Sequence, residues 1–229
     1  MCLICPGVKK SPQAHASHGL VKILGPLSSE CLKQLAFDEG LRNFRPADRQ
    51  KEALVNITRQ PEGMVYGALN RSTVIGYVTF HRPNKYSRWN KHPRILELGT
   101  IEVTPKWRKF KIARQLLELA FGNPVLEDYV IITIEFCWHW DLEQSRLNVW
   151  QYQKMLTRLL GSVNMQRIPT DDPSILEHPA NVLMVKFGKH VSPADLKLFS
   201  ALQFEKIKEP SYFPATGNQT SVINLKDRT

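Results

Sequence analysis

A short basic turn between a predicted strand and a predicted helix is the first place where this sequence could do chemistry. Residues 95–103 are rich in β-branched and aliphatic side chains, which predicts a buried strand that ends at Pro105. From Ile112 onward apolar residues recur at helical spacing. Residues 106–111 lie between the two, and backbone N–H groups at a helix N-terminus attract anions. The order strand, basic turn, helix therefore predicts a cradle for phosphate groups.

Two acidic residues on the predicted strand could act as a base. Glu97 and Glu102 are five positions apart, so on a regular strand they point to opposite faces. A carboxylate in a partly dry site has a raised pKa and can take a proton from an amine, directly or through a water. Each could equally be held in an ion pair, for example with Arg108. The residues alone leave both interpretations open.

The elements that must position these residues are a mixture of strands and helices. Alternating or continuous apolar patterns predict strands at residues 19–24, 64–69, 74–80, 95–103, 129–136 and 182–187. Helical spacing and capping residues predict helices at 28–37, from Pro46 to before residue 61, from Ile112, at 147–160 and at 193–202. In the helix at 147–160, the predicted buried positions are Leu147, Trp150, Leu156 and Leu160. The mixture predicts an α+β (mixed α/β) fold without internal repeats.

The composition is that of a globular protein with an uneven positive charge. The 229 residues are 42% hydrophobic and 23% charged, and the formal net charge is +10. Residues 82–94 contain five basic residues and no acid, and residues 106–114 contain five more and again no acid. These two segments could account for the whole excess. A polyanionic cofactor, an acidic protein surface and nucleic acid are therefore candidate partners.

The chain ends are predicted to be flexible segments, 1–18 and 210–229, on either side of a single domain at 19–209. Cys2, Cys5, His15 and His18 are spaced like a zinc quartet, but the segment between them has no core of its own, so no metal site is predicted. We find no membrane-spanning run, no signal peptide, and cysteines too scattered for a disulfide framework. These features favour a cytoplasmic protein.

Several unusual strings of residues resemble a known family. They are Phe44-Arg-Pro46, Val74-Ile-Gly-Tyr-Val-Thr79, Glu97-Leu-Gly-Thr-Ile-Glu-Val103, Trp138-His-Trp-Asp-Leu142 and His178-Pro-Ala-Asn-Val-Leu-Met184. With the order of the elements, they make the chain similar to the GNAT superfamily of acyl-coenzyme A-dependent N-acyltransferases, from about residue 19 to 202. The resemblance implies a central mixed, mostly antiparallel sheet flanked by helices. The branch that it resembles acetylates a lysine of acetyl-CoA synthetase, in acetoin and acetate metabolism.

The same resemblance implies acetyl-CoA as the acyl donor. The family's phosphate-binding turn reads Q/R-x-x-G-x-G/A, and Arg108, Lys111 and Ala113 occupy its first, fourth and sixth positions. Lys109 also replaces a glycine that this branch carries. Either these lysines point outward and their charge helps to hold phosphate, or the cofactor site is damaged. The residues implied in cofactor binding are Ile101, Val103, Arg108, Lys109, Phe110, Lys111, Ile112, Ala113 and Arg114.

The resemblance also suggests catalytic roles. Glu102 is the first candidate base, because it lies beside a strand bulge that the family carries and that would shift the alternation of side chains. Glu97 is the second, at the position where several lysine-directed relatives place their base. Tyr152 is the candidate donor of a proton to the leaving thiolate, or else it only packs on a helix face. His139 and Asp141 are predicted on the substrate side, with a capping or structural role as the alternative.

Three functions follow from these observations. The leading hypothesis is a protein Nε-lysine acetyltransferase that acts on acetyl-CoA synthetase and inactivates it. The second is a protein-binding module that keeps the fold and has lost cofactor affinity through Lys109 and Lys111. The third, which the sequence does not favour because no known nucleic-acid motif is present, is a nucleic-acid binder. It is suggested by aromatic residues interleaved with the basic ones, namely Tyr86, Trp89, Trp107 and Phe110.

Overall fold

The computed structural model describes residues 9–10, 14–16 and 19–205. The strands in these ranges are β1 (Lys9–Lys10), β2 (Ala14–Ala16), β3 (Gly19–Gly25), β4 (Ala36–Phe37), β5 (Met64–Asn70), β6 (Thr73–His81), β7 (Ile95–Val103), β8 (Val130–Glu135), β9 (Gln166–Ile168) and β10 (Val182–Phe187). The α-helices are α1 (Ser29–Gln34), α2 (Ala47–Ile57), α3 (Ile112–Phe121), α4 (Leu142–Ser145), α5 (Val149–Gly161), α6 (Pro173–Leu176) and α7 (Pro193–Gln203). Short 3-10 helices occupy Arg88–Lys91, Pro105–Trp107, Pro124–Asp128 and Cys137–His139.

The strands form one mixed sheet in the order β1-β3-β5-β6-β7-β8-β10-β9, with β2 beside β3 and β4 beside β6. The pairs β7/β8 and β4/β6 are parallel, and the remaining pairs in the described ranges are antiparallel. The predicted class, a mixed and mostly antiparallel sheet flanked by helices, is therefore confirmed.

Apolar side chains cover the two faces of this sheet differently. On one face, α3 and α5 pack on a single cluster that runs along the sheet from Val21 to Met184. On the other face there are two separate clusters. One lies beneath α1 and α2, and the other lies beneath α7 and Trp89. The stretch of β6 and β7 between these two clusters carries polar side chains, so this face has a polar gap in its apolar cover.

Several helices begin and end where the sequence predicts. Pro46 precedes α2, and Gly122 follows α3, whose buried face consists of Ile112, Leu116, Leu117 and Ala120. The predicted helix at 28–37 is too long, because Leu35 is extended and the backbone N–H of Ala36 donates to the carbonyl of Ser72 at 3.1 Å. This bond, together with the one from the backbone N–H of Asp38 to the carbonyl of Val74 at 3.0 Å, converts the helix end into the parallel strand β4 beside β6.

The burial prediction for Trp150 is wrong. Asn148 forms a capping box with Gln151, so α5 starts at Val149 rather than at Leu147. Trp150 is then in the first turn, with 53% of its surface exposed, and its ring lies 6.5 Å from that of His178. Leu156 and Leu160 are buried as predicted.

The predicted tails lie largely outside the described residues. Of segment 1–18, only the two short strands β1 and β2 are described, and residues 206–229 are outside the described ranges. Cys2, Cys5 and His18 are outside them as well. Within the described part, no group of acidic, histidine or cysteine side chains could hold a metal ion. Cys137 is a free thiol, whereas Cys31 is disulfide-bonded, which the scattered spacing did not indicate.

Candidate active site

A gap opens between the two parallel strands at the centre of the sheet. β7 pairs with β8 only where residues 95–97 meet residues 130–132. Beyond this point β7 continues beside β6, and β8 continues beside β10. We call the space between residues 98–103 and 133–135 the cleft. The described part of β8 offers no strand partner there, so that edge of β7 lacks the ladder hydrogen bonds of a neighbouring strand.

A bulge in β7 brings both candidate bases to one face. The pairing with β6 shifts between Thr79, which faces Thr100, and Phe80, which faces Leu98, so Gly99 is the extra residue. As a result Glu97 and Glu102 both point away from α3, toward the polar gap. Gly99 has little room for a side chain, because an added Cβ would lie 2.2 Å from Nε2 of His81. The bulge that the family resemblance implied is present.

Six polar side chains fill the gap, and we call them the polar strip: Tyr77, Thr79 and His81 on β6, and Glu97, Thr100 and Glu102 on β7. They are directly opposed in three cross-strand pairs. Side chains of directly opposed residues lie on the same face of a sheet, so the strip is continuous. It runs beside the cleft, between the two apolar clusters of this face.

Glu102 is held by hydrogen bonds to both of its oxygens. The hydroxyl of Tyr77 donates to Oε2 at 2.5 Å, and the backbone N–H of Asn43 donates to Oε1 at 2.9 Å. The Asn43 side chain also donates to the carbonyl of His139 at 3.1 Å, across the cleft. Burial, followed by the charge of Glu102, raises the pKa of Tyr77, so its proton stays in this bond. Glu102 thus ties the loop around Asn43 to β7, and only 5% of its surface is exposed.

Glu97 is in a different position. Burial raises its pKa, and the charge of a protonated His81 opposes that rise. No hydrogen bond to its carboxyl group is formed by residues in the described ranges. A carboxyl group of this kind holds a proton more readily than an exposed one, which is the property expected of a general base that works near neutral pH.

Glu135, at the end of β8, is a functional candidate that the sequence interpretation missed. Burial raises its pKa, the hydrogen bond from Thr133 opposes the rise, and the charge of Glu97 adds to it. The hydroxyl of Thr133 lies 2.9 Å from its Oε1. The one available signal was an acid at the end of the strand predicted with the clearest pattern, on the other side of the cleft from Glu97.

The basic turn after β7 has the backbone of a glycine turn without the glycines. Lys109 has φ 71° and Lys111 has φ 58°, both in the left-handed region that favours glycine. Both side chains are exposed, so neither fills the space above the turn. The backbone N–H of Gln115 donates to the carbonyl of Lys111 at 3.0 Å, which closes the first turn of α3. The backbone N–H groups that precede Gln115 in this turn have no acceptor within the helix. The turn therefore keeps the backbone shape of an anion site.

Some of the remaining residues predicted to bind the cofactor pack in the apolar cluster beneath α3, and the others lie at its edge. Ile112 is buried, and Ile101, Val103 and Phe110 pack on the cluster beneath α3. Arg114 pairs with Glu118 one turn along the helix, at 2.8 Å. Ala113 lies half-buried in the first turn of α3. The cleft is thus lined by apolar side chains on the α3 side.

Arg108 and Asp141 join the two sides of the cleft. The Arg108 guanidinium donates from Nη2 to Oδ2 of Asp141 at 2.6 Å, and from Nε to the carbonyl of Val103 at 3.3 Å. The other Asp141 oxygen caps α4 by accepting from the N–H of Gln144 at 3.2 Å. The predicted ion-pair alternative for a carboxylate with Arg108 is thus realised by Asp141 and not by Glu97 or Glu102.

Tyr152 lies on α5 beside this ion pair. Its ring stacks on Trp140, with the centroids 5.2 Å apart. Burial raises its pKa, the charge of Arg108 and a backbone hydrogen bond from Asp141 oppose that rise, and the charges of Asp141 and Glu135 add to it. The hydroxyl therefore keeps its proton at neutral pH, next to a cation that would favour its release. His139, by contrast, is exposed at the cleft mouth, 6.3 Å from the ring of Phe44.

The aromatic residues of the basic segments do not form a nucleic-acid platform. Trp89 is fully buried, and Trp107 is 3% exposed, so neither can stack on a base. Tyr86 is exposed and carries Lys85 above its ring at 4.8 Å. Among the described helices, none is long and apolar enough to cross a membrane.

Comparison with known proteins agrees with this geometry. The sequence model of the acetyltransferase (GNAT) family matches residues 30–122. Acetoin utilization protein AcuA of Bacillus licheniformis is 40% identical over 188 residues, which cover 81% of this chain and 90% of that protein. AcuA of Bacillus subtilis is 37% identical with the same coverage. The crystal structure of an acetoin utilization protein from Exiguobacterium sibiricum is 41% identical, with a TM-score of 0.84 over 86% of this chain and 94% of that chain.

Acetyl-CoA is the acyl donor of GNAT acetyltransferases, and the residues present fit it. The left-handed backbone at Lys109 and Lys111, their exposed charges and the helix N-terminus suit a diphosphate, and the open edge of β7 suits an acylated thiol arm. With this identity over most of both chains, the protein belongs to the GNAT acetyltransferase family, in the group of the acetoin utilization protein AcuA.

Proposed function

We propose that the protein transfers an acetyl group from acetyl-CoA to the Nε-amine of a lysine on a protein, and that this protein is an acetyl-CoA synthetase, which the modification inactivates. We place the reaction in the cytoplasm, as part of acetoin and acetate metabolism. The single observation that carries the proposal is the cleft itself, with a turn of anion-site shape after the end of β7 and a half-buried acid, Glu97, on the strand. The names of the relatives support the metabolic setting.

The turn and the cleft hold the donor. Backbone N–H groups of residues 109–114 and the Lys109 and Lys111 side chains bind the diphosphate, while Ile101, Val103 and Phe110 contact the thiol arm. When bound, acetyl-CoA supplies the activated acyl carbon. A backbone N–H of β7 near Val103 donates to the thioester oxygen, where negative charge develops. Arg108 holds the end of β7 and the start of α4 at a fixed separation.

The acceptor amine has to lose a proton before it can attack, since a free lysine has a pKa of about 10.4. Glu102 and Glu97 remain the two candidate bases, and the hydrogen bonds order them. Both Glu102 oxygens already accept a hydrogen bond and only 5% of the residue is exposed, so an incoming amine has to compete with Tyr77 and Asn43 for the remaining lone pairs. We therefore propose Glu97 as the base and Glu102 as a positioning residue for the loop that carries Asn43 and Phe44.

Tyr152 donates the proton that the departing thiolate needs. Its hydroxyl stays protonated at neutral pH, and Arg108 stabilises the phenolate that forms when the proton leaves. His139 and the exposed rings of Phe44 and Trp138 at the mouth contact the acceptor protein. Asp141 acts on the substrate side only indirectly, by fixing Arg108 and the start of α4.

The direct test is acetylation of purified acetyl-CoA synthetase with radiolabelled acetyl-CoA, followed by mass spectrometry of the labelled lysine. We expect label in the wild-type reaction, and a rate about 10²–10⁴-fold lower for Glu97→Gln with unchanged coenzyme A affinity. The variant Glu102→Gln should lose less activity and more thermal stability. Failure of the wild type to label the synthetase, with coenzyme A still bound, would contradict the proposed acceptor.

The backbone strain in the turn favours one alternative function, a GNAT-fold protein-binding module with impaired catalysis. Two lysines in the left-handed region cost about 1–2 kcal/mol each, and that cost could instead reflect a turn that no longer serves a cofactor. Calorimetry with coenzyme A separates the two functions. Micromolar binding excludes the impaired module, whereas no detectable heat with retained synthetase association supports it.

A further inference from the structure

The acceptor proton needs a way out of the polar strip once the base has taken it. Glu97 is half-buried between the two apolar clusters of its face, and burial raises the pKa of its carboxyl group, so it returns a proton to bulk water more slowly than an exposed acid does. A base that keeps the proton stops after one turnover. The question is therefore which side chain connects Glu97 with solvent.

His81 has the position for this connection. It is directly opposite Glu97 in the β6/β7 pairing, so the two side chains lie side by side on the same face. His81 is the last residue of β6 and is half-buried, so its ring lies at the end of the strip and is partly exposed to solvent. The charge of a protonated His81 lowers the pKa of Glu97, against the rise that burial causes.

The tautomer of His81 is also fixed in the useful form. Its Nδ1 lies 2.8 Å from the carbonyl oxygen of Arg82, and because a carbonyl can only accept, Nδ1 carries a proton. In the neutral ring Nε2 therefore has the free lone pair. That nitrogen lies against the backbone of Gly99 at the bulge, where an added Cβ would come within 2.2 Å. The bulge glycine thus leaves room for the imidazole beside β7.

We propose that His81 carries the proton from Glu97 to solvent during each acetyl transfer, and this inference rests on the proposed function. The Glu97 carboxylate takes one proton from the acceptor ammonium. The resulting carboxylic acid passes a proton, directly or through one water, to Nε2 of His81, which restores the carboxylate and forms an imidazolium. The imidazolium returns its Nε2 proton to a water or buffer molecule, and the Nδ1–H bond to Arg82 is kept throughout.

The charged groups around this pair are few. On β6 the neighbour is Arg82, whose guanidinium is taken up by the carbonyls of Asn90, His92, Pro93 and Ile95. On β7 the facing group is Glu97, and across the cleft Glu135 acts on Glu97. His81 is a positioning and relay residue rather than one that touches the acyl group.

Chemical rescue tests the relay. In weak buffer, His81→Ala should turn over at least about tenfold more slowly than the wild type, and added imidazole should restore most of the rate. His190→Gln is the matched control, because His190 pairs with Asp128 at an exposed site and its loss should change neither rate nor buffer dependence. A full rate in His81→Ala, or a lowered rate that imidazole leaves unchanged while the variant melts like wild type, overturns the proposal.

A second measurement does not depend on the acceptor. In NMR spectra at neutral pH, the ring nitrogen signals of His81 should differ between Glu97→Gln and the wild type, since the carboxylate opposite the ring is gone, and those of His190 should not change. Identical His81 signals in the two proteins overturn the coupling. If the coupling is present while the synthetase is not acetylated, the failure lies with the proposed acceptor and not with the His81–Glu97 pair.

Discussion

Two basic segments look alike in the sequence and have different surroundings in the fold. Residues 82–94 and 106–114 each contain five basic residues without an acid. In the first segment, Arg82 donates to four backbone carbonyls, and Arg88 lies between Asp171 and Asp172, with Nε 3.6 Å from Asp172. Lys91 pairs with Glu205. Most of the basic side chains of this segment are therefore paired with acidic or carbonyl groups of the protein itself.

The second segment keeps two charges for a partner. Lys106 pairs with Asp38 at 2.5 Å, Arg108 with Asp141 and Arg114 with Glu118. Lys109 and Lys111 are exposed, and in residues 19–205 no acid lies within ion-pair distance of either. The difference shows that a count of charges does not identify a binding site. Burial and internal partners decide which charges remain available.

The largest effect in this comparison should come from Arg88. Its side chain is 11% exposed, so Arg88→Ala leaves Asp171 and Asp172 without their cation and removes the hydrogen bond to the carbonyl of Leu202. Breaking a buried pair by removing one partner costs about 3–5 kcal/mol, and partial exposure of Asp171 favours the lower value. Urea unfolding measures the loss, and coenzyme A affinity, taken where the variant is folded, should be unchanged.

Lys91→Ala is the control for this prediction. Lys91 belongs to the same segment and pairs with Glu205, but its side chain is 61% exposed, so its removal should cost less than about 1 kcal/mol. Equal losses in the two variants, or a large fall in coenzyme A affinity in Arg88→Ala, would show that segment 82–94 is not mainly architectural.

The next effect should be on affinity and should come from the second segment. Removing both lysines, Lys109→Ala with Lys111→Ala, should weaken coenzyme A binding about tenfold at low salt, since each exposed cation contributes about 0.5–1 kcal/mol to holding phosphate. The effect should shrink at high ionic strength. Calorimetry in two salt concentrations measures both. Lys85→Ala with Lys91→Ala removes the same charge from the first segment and should leave affinity unchanged.

The sequence predicts the elements better than the surroundings of single side chains. Each of the six predicted strands and the helix from Ile112 is present, because period-2 and period-3.6 patterns report directly on burial. The start of α5 was misplaced because Asn148 and Gln151 form a capping box that outweighs the apolar Leu147. The end of α1 depends on a pairing with Ser72, which is distant in sequence. Long-range partners of this kind leave no local pattern.

The same limit explains what could be predicted of the candidate site. The turn and the two acids of β7 were visible, because they are contiguous in the chain. Glu135 was missed, because its closeness to Glu97 depends on how β8 diverges from β7. The hydrogen bonds that distinguish Glu102 from Glu97 come from Tyr77 and Asn43, on other elements. Only the fold brings these groups together.

The two acids of β7 also differ in their internal partners, since Glu102 accepts hydrogen bonds from described residues and Glu97 does not. The stability of variants at the two positions should therefore depend differently on pH. Because burial raises the pKa of Glu97, the folded state favours its neutral form. The stability that this provides is present below the unfolded pKa of about 4.5 and is lost as the pH rises through the folded value. Glu97→Gln should therefore be more stable than wild type at pH 8 and not at pH 4.

Glu102→Gln is the matched comparison for the same unfolding experiment. An amide at this position cannot accept from both Tyr77 and Asn43 with the strength of a carboxylate, so the variant should lose stability at pH 8. If both variants gain stability, or both lose it, the distinction between Glu97, a half-buried acid to which no described residue donates a hydrogen bond, and the hydrogen-bonded Glu102 is wrong.

The smallest expected effect is on stability, and it comes from the backbone φ angle of one lysine in the second basic segment. Lys111 has φ 58° at the start of α3, whereas Lys154 is an exposed lysine in the interior of α5. Lys111→Gly removes a left-handed strain of about 1–2 kcal/mol and adds about 0.5–1 kcal/mol of unfolded-state entropy, for a net gain of about 0–1.5 kcal/mol. Lys154→Gly has no strain to relieve and should lose about 1 kcal/mol.

Opposite signs for the same chemical change in the two lysines would show that the turn is built for glycine and that this chain retains lysine there at a cost in stability. The cost has a physical reason only if the charge is useful, so the variant that gains stability should also bind coenzyme A more weakly, by about two- to fivefold for one exposed cation. Thermal melting with and without coenzyme A measures both changes in one experiment. If Lys111→Gly is more stable than the wild type and binds coenzyme A equally tightly, the lysine is not retained for binding coenzyme A. The left-handed conformation of Lys111 would then be strain without a function.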